Sequence, residues 1–145
     1  MKLIFGCDPN ATALKQDLMA LAEKLGHEVE DYGSDDPIYA NTAIRVAEAV
    51  AAGQAERGVL VCGTGLGMSI AANKVQGAYA ALLTDVYSAQ RAVLSNDSNI
   101  ACLGAFTIGT KLAEELLKTW LGCRFEPGCA SQVKVDRYKT YDQEQ

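Results

Sequence analysis

The sequence predicts an α/β domain, a doubly wound three-layer sandwich in which a five-stranded parallel sheet lies between helices. Three observations carry that prediction. Short apolar runs rich in β-branched residues alternate with stretches of helical periodicity, the pattern of βαβ units rather than of hairpins. The strongest run, Gly58-Val59-Leu60-Val61-Cys62, is continuous instead of alternating, as in strands buried on both faces of a parallel sheet. Finally, 145 residues that are 49% hydrophobic and 21% charged, with only 3 Pro, suit one domain with its own core.

Lys2 to Gly6 reads as the first strand, closed by the turn Cys7-Asp8-Pro9-Asn10. A helix capped by Asn10 or Thr12 should follow, with Leu14, Leu18, Leu21 and Leu25 on one face and Gly26 as its stop. Val29 and Tyr32, set among Glu28, Glu30 and Asp31, mark a half-exposed strand near the sheet edge. After the loop Gly33 to Pro37, a helix from Tyr39 to Ala52 is marked by Ile44, Val46, Ala47 and Val50 and stopped by Gly53. The central strand leads into Gly63-Thr64-Gly65-Leu66-Gly67 and a short helix from about Met68 to Asn73. Strand Ala78 to Leu83, helix Asp85 to Leu94, strand Asn99 to Leu103 and helix Thr110 to Leu121 complete the alternation. No repeat or linker interrupts residues 1–145, which read as a single domain. Its tail, 123–145, carries few apolar residues and is expected to pack outside the sheet, on a partner subunit.

With right-handed crossovers this is a Rossmann-like arrangement, and such sheets bind ligands outside the carboxyl ends of their strands, where strand order reverses. The turns after Gly6, Cys62, Leu83 and Leu103 are therefore the candidate positions.

Composition removes several function classes. A formal charge of −5 and an isoelectric point near 4.8 give no basic footprint for a nucleic acid or an anionic membrane. No run approaches the ~20 apolar residues of a membrane span, and Met1 to Asp8 turns acidic too early for a signal peptide. Five cysteines, an odd number without CxxC spacing, read as reduced thiols. The expected location is cytoplasmic. His27 is the only histidine, so chemistry requiring two imidazoles is excluded.

The segment from Cys62 to Ser69 leaves a strand and opens a helix, where glycines let backbone approach a ligand and free amides favour a phosphate or an enediolate. The alternative is a tight turn with no ligand. Helix amides beside Cys62 make its thiolate available as base or nucleophile, although a cysteine ending an apolar run is often core. Asp8 either orients a hydroxyl or caps the helix at Asn10 to Thr12. Ser95-Asn96-Asp97-Ser98-Asn99 either grips sugar hydroxyls or forms a polar cap. Tyr39 points its phenol into the cleft or packs with a wet tip. Lys74 is read as closing its helix electrostatically, and His27 as a partner of a helix C-terminus.

These residues resemble the family of type B ribose-5-phosphate isomerases and galactose-6-phosphate isomerase subunits. The resemblance spans Met1 to about Asp136 and rests on Phe5 to Asp8, Gly58 to Lys74, Tyr87 to Gln90 and Asn96 to Asn99. It implies a homodimer or tetramer with an intersubunit active site, interconverting aldose and ketose phosphates through an enediol without metal or cofactor. Carried onto this chain, Cys62 would be the base, with Thr64 beside it and amides from Gly63 through Gly65, Leu66, Gly67 and Met68 to Ser69 stabilising the enediolate. Asp8, Tyr39 and Asn96 align with positions that touch the sugar.

The chain departs from the family where imidazoles and arginine are expected. Pro9 and Ser95 stand where the family has histidines, the second of which opens the sugar ring. Pro127-Gly128-Cys129-Ala130 replaces the Gly-Gly-Arg-His segment that supplies a phosphate-binding arginine, and the next basic position is Lys134, shifted by one residue. A tetrulose 4-phosphate, whose C4 oxygen is esterified, cannot close a five-membered ring and needs no ring opener. The missing arginine leaves a carboxylated or unphosphorylated sugar, or a phosphate held by Arg137 or Arg91, as readings of the anion site. A sugar-phosphate-binding paralogue without catalysis, or one subunit of a heteromer, is the alternative from a different class.

Overall fold

Alternation along the strands divides the interior into two cores. The computed structural model describes all residues, Met1–Gln145. Five parallel strands, β1 (Lys2–Cys7), β2 (Glu28–Asp31), β3 (Arg57–Cys62), β4 (Ala80–Leu82) and β5 (Ile100–Gly104), form one sheet in the order β2-β1-β3-β5-β4. Leu3, Phe5, Val59, Val61, Ala101 and Leu103 face helices α1 (Thr12–Lys24), α4 (Val86–Leu94) and α5 (Thr110–Gly122). Ile4, Leu60, Ile100 and Cys102 face α2 (Tyr39–Ala51) and α3 (Leu66–Ala72). The expected three-layer α/β sandwich is the one observed. Strand order reverses between β1 and β3 and again at the far edge, where β5 lies inside β4.

Local outcomes have identifiable causes. Of the caps the sequence offered, Asp8 is the one used: its carboxylate accepts the Asn10 amide at 2.5 Å over a single 3-10 turn, Pro9–Ala11, that precedes α1. The buried stripe of α1 is Leu14, Lys15, Leu18 and Ala22, while Leu25 lies past the helix end and is 40% exposed. Lys15 is buried because its ammonium reaches Asp31 at 2.7 and 2.9 Å. On α2, Thr42 and Ala43 replace Ile44 on the buried face. The three-residue edge strand β4 is held at its first residue by Asn73, whose carboxamide accepts the Ala80 amide and donates to the Ala80 carbonyl.

The tail folds as α6 (Gln132–Glu144), a helix the sequence reading did not predict, against its own chain. Val135 is its only buried residue; Asp142 accepts the Gly77 amide at 2.8 Å and the Tyr79 hydroxyl at 2.9 Å, and Lys139 pairs with Asp97 at 2.5 Å. No helix is long and apolar enough to cross a membrane.

Helix α2 sits close on β1 because Gly6 presents no side chain. A Cβ there would fall 2.6 Å from the Thr42 methyl and 3.2 Å from Val46. Gly6→Ala should therefore overpack the sheet and cost ~1–3 kcal/mol in denaturant unfolding. Adding Thr42→Ser, which deletes that methyl, should recover part of the loss; no recovery would place the strain elsewhere.

Candidate active site

Parallel register brings three strand ends together. Cys7 pairs with Val61 and Cys62 with Gly104, and the ladder continues outward through Asp8 N–H to the Val61 carbonyl at 3.0 Å and Ala105 N–H to the Cys62 carbonyl at 2.8 Å. Asp8 is thereby held beside the turn that leaves β3.

That turn depends on Gly65, which is left-handed with φ +80°; a Cβ there would fall 2.5 Å from Leu82 and 3.0 Å from the Leu103 backbone. Its conformation aims the Gly65 amide at the Cys62 sulfur, 3.1 Å away. Thr64 is exposed, and its hydroxyl accepts the Leu66 amide at 3.2 Å. The amides of Gly63, Thr64, Gly67 and Met68 donate to no other atom of the chain. Met68 is fully buried, and the Ser69 hydroxyl lies against the Cys102 thiol. The turn thus offers a ligand main-chain donors, with the Thr64 hydroxyl beside them.

Among the thiols at this end of the sheet, Cys62 alone meets a turn amide. Burial pushes Cys102 up, Cys62 beside it adds to the rise, and Cys102 stays protonated. Burial also raises Cys7, which faces the other core. Tyr39, first residue of α2, brings its phenol so close to Gly67 that a Cβ on Gly67 would coincide with the hydroxyl. Asp8, Tyr39, Cys62, Thr64 and the stretch Gly63 to Ser69 are therefore gathered in one place.

Asn96 and Lys134 lie elsewhere. The loop carrying Asn96 precedes β5, whose five residues at a rise of ~3.3 Å each set it roughly 15 Å from the carboxyl end of the sheet. Lys134 is exposed on α6, which docks at that same far end. Within one chain neither joins Cys62. His27 is also remote: it precedes β2, and its ring meets the Met1 amine at 3.1 Å. Burial and that amine lower its pKa. Pro9 is absorbed in the 3-10 turn, and the Ser95 hydroxyl accepts Arg91 Nε at 2.6 Å. Lys74 follows the end of α3, away from the turn. No three His, Cys, Asp or Glu side chains cluster as a metal site.

The sequence reading missed an apolar rim. Phe106, 73% exposed, lies against Gly63, and Leu66 and Ile70 on α3 and Tyr87 on α4 are 54–68% exposed. Large apolar residues in a turn and at the outer positions of short helices were the available signal.

Comparison with known proteins fits this geometry. The model of the Ribose/Galactose Isomerase family matches residues 3–138. D-erythrulose-4-phosphate isomerase 2 of Mycolicibacterium smegmatis is 44% identical, covering 98% of this chain and 97% of its own. Ribose-5-P isomerase B of Listeria innocua is also 44% identical, covering 99% and 98%. The solved ribose-5-phosphate isomerase B of Clostridium thermocellum superposes with a TM-score of 0.92 at 37% identity over 99% of both chains. By family model, sequence and fold alike, the chain belongs to the ribose/galactose isomerase family of sugar-phosphate isomerases.

Proposed function

We propose that the chain is an aldose–ketose isomerase for an open-chain four-carbon sugar phosphate, a tetrulose 4-phosphate of the D-erythrulose type, with Cys62 as the base. The isomerase class rests on family membership; substrate and base rest on this chain's residues. Relatives named for erythrulose 4-phosphate and for ribose 5-phosphate are equally similar, at 44% identity each, so similarity does not choose between them. The observation that carries the choice is that neither family histidine position holds an imidazole: Pro9 and Ser95 are engaged locally, and His27 precedes β2, at the sheet edge opposite β4 and away from the Asn96 loop as well as from Cys62. Neither partner of a tetrulose–tetrose 4-phosphate pair forms a five-membered ring, so neither needs a ring-opening acid or base.

In this mechanism the Cys62 thiolate, held by the Gly65 amide, takes the C1 proton of the ketose. The electrons form the C1–C2 double bond of an enediolate, whose C2 oxygen takes the developing charge. The unpartnered amides of Gly63, Thr64 and Gly67, in residues open to solvent, are the donors proposed to meet that charge, whereas Met68 is buried. Cys62 returns the proton to C2, while a hydroxyl proton passes from O1 to O2, which gives the aldose. Thr64 serves that exchange, and Asp8 and Tyr39 hold the substrate hydroxyls.

The apolar rim around the turn supports a second copy covering the site, since exposed apolar patches mark interaction surfaces. That copy would supply Asn96 for a hydroxyl, and Lys134 with Arg137 for the terminal phosphate. These two cations lie one turn apart on α6 without carboxylate partners.

The decisive measurement is proton exchange in deuterium oxide across tetrose, pentose and hexose phosphates. Deuterium should enter tetrulose 4-phosphate fastest, and ribose 5-phosphate turning over as fast would refute the substrate assignment. Cys62→Ala should lower exchange at least a hundredfold, in the range of general-base effects, while substrate binding persists; exchange at the parental rate removes Cys62 from the mechanism. Binding with no exchange in the parental protein would identify a sugar-phosphate binder instead. Gly67→Ala should displace the Tyr39 phenol and raise KM, with Tyr39→Phe relieving little because the ring remains; an unchanged KM would take Tyr39 out of the binding surface.

A further inference from the structure

Every residue from Ser95 to Asn99 is fixed by a bond to or from a side chain. Ser95 accepts Arg91 Nε at 2.6 Å, and Asn96 donates its carboxamide N–H to the Arg91 carbonyl at 2.9 Å. The Asn96 carbonyl accepts the Tyr138 hydroxyl, and Asp97 accepts Lys139 Nζ at 2.5 Å. Ser98 accepts Trp120 Nε1 at 2.9 Å, and Asn99 accepts the Tyr79 amide at 2.8 Å while donating to the Gly77 carbonyl at 2.9 Å. Asp97 adopts φ +50°, the only non-glycine residue of the chain with positive φ. Such a conformation persists where surrounding bonds over-determine it.

Two of those bonds come from α6, some forty residues later in the chain. Tyr138 and Lys139 grip the loop, and Asp142 one turn on grips the Gly77–Tyr79 turn to which Asn99 also bonds. Lys139 lies 5.3 Å from the Tyr79 ring, and the Tyr79 and Tyr138 rings are 5.7 Å apart. With Val135 as its single buried residue, α6 is docked largely by polar groups aimed at this loop. The Lys139–Asp97 pair is about a third exposed on each side, and pairs that open to solvent add little stability. Its effect is geometric.

We infer that Lys139 and Tyr138 are positioning residues that, through the Asp97 carboxylate and the Asn96 carbonyl, set the direction in which Asn96 is offered to substrate at the Cys62 of a second copy. The inference rests on the two-chain site proposed above and names what holds its far half in place. One Asn96 N–H is spent on the Arg91 carbonyl, which leaves its carboxamide oxygen and its second N–H for a sugar hydroxyl. Releasing Lys139 frees Asp97 to leave φ +50°, and the adjacent Asn96 turns with it.

Lys139→Met should lower kcat/KM about ten- to hundredfold, the cost of misplacing a substrate contact by about an ångström. The thermal midpoint should stay within a few degrees, and Lys139→Arg should restore the rate. Mixed dimers separate this role from a structural one. Cys62→Ala and Asn96→Ala subunits, each inactive alone, should regain activity when co-assembled, because one site then has Cys62 from one chain and Asn96 from the other. Cys62→Ala with Lys139→Met should regain it equally, since the intact loop comes from the Cys62→Ala chain. If the first pair fails to complement, the two-chain site falls and the inference with it. If the first pair complements and the second does not, or if Lys139→Met keeps the parental kcat/KM, the positioning role alone is overturned.

Discussion

The register of β3 is the constraint on which both ends of the sheet depend. All six of its residues are buried, so a slip by one position would send every side chain to the opposite core. Cys62 would then leave the α2–α3 side and lose the Gly65 amide. The start of the strand is anchored by Arg57, whose guanidinium donates at 2.6 Å to the Trp120 and Cys123 carbonyls and lies 4.8 Å over the indole. Burial lowers the Arg57 pKa, yet the carbonyls ending α5 carry the negative potential of a helix C-terminus and compensate the buried charge. One charged residue therefore fixes the strand at its start, and the thiol at its finish is delivered opposite Gly104.

What was legible in the sequence follows the same division. Strands buried on both faces and the glycine turn after β3 were readable because their signals are local: a continuous apolar run, and left-handed backbone where glycine stands. Helix α6 was not readable, since its docking depends on Tyr138, Lys139 and Asp142 meeting partners forty and more residues away. The burial of Lys15 has no local signal either, since it depends on Asp31 of β2, sixteen residues away. The inward displacement of β5 past β4 has no local signature either. As for the site, Asp8, Tyr39 and the Cys62–Ser69 block converge as read. Asn96 was read as part of a polar loop that grips sugar hydroxyls or forms a cap, Lys134 entered through the family resemblance alone, and the fold puts both at the far end of the sheet.

The two ends of the sheet differ in kind. At the carboxyl end, the groups left for a ligand under the proposed function are mainly backbone: the Gly63, Thr64 and Gly67 amides have no partner in the chain, while Met68 is buried and the Ser69 hydroxyl meets Cys102. Donors fixed by the strand ends and by Gly65 need no reorganisation when charge develops on a substrate oxygen. At the amino end, recognition falls to side chains on a loop that every neighbouring element restrains. A loop so restrained gains nothing for its own chain's Cys62, which is a β-strand's length away. In the proposed two-chain site, that order would serve the Cys62 of a second copy.

This division also accounts for which family features the chain lacks. In the proposed mechanism Cys62 and the amide turn act on C1 and C2, and both are present in this chain. A ring-opening imidazole acts on the ring oxygen, and the arginine clamp acts on the far phosphate. A four-carbon 4-phosphate has no five-membered ring to open, and its phosphate sits one carbon nearer the reacting centre than in a pentose 5-phosphate. Point charges on a helix that docks one face beside the loop, such as Lys134 and Arg137, can meet a phosphate without the bidentate geometry of a fixed guanidinium pair. The proposed open-chain substrate thus accounts for the missing ring-opening imidazole, while its phosphate still has to be met, with Lys134 and Arg137 as the cations at hand.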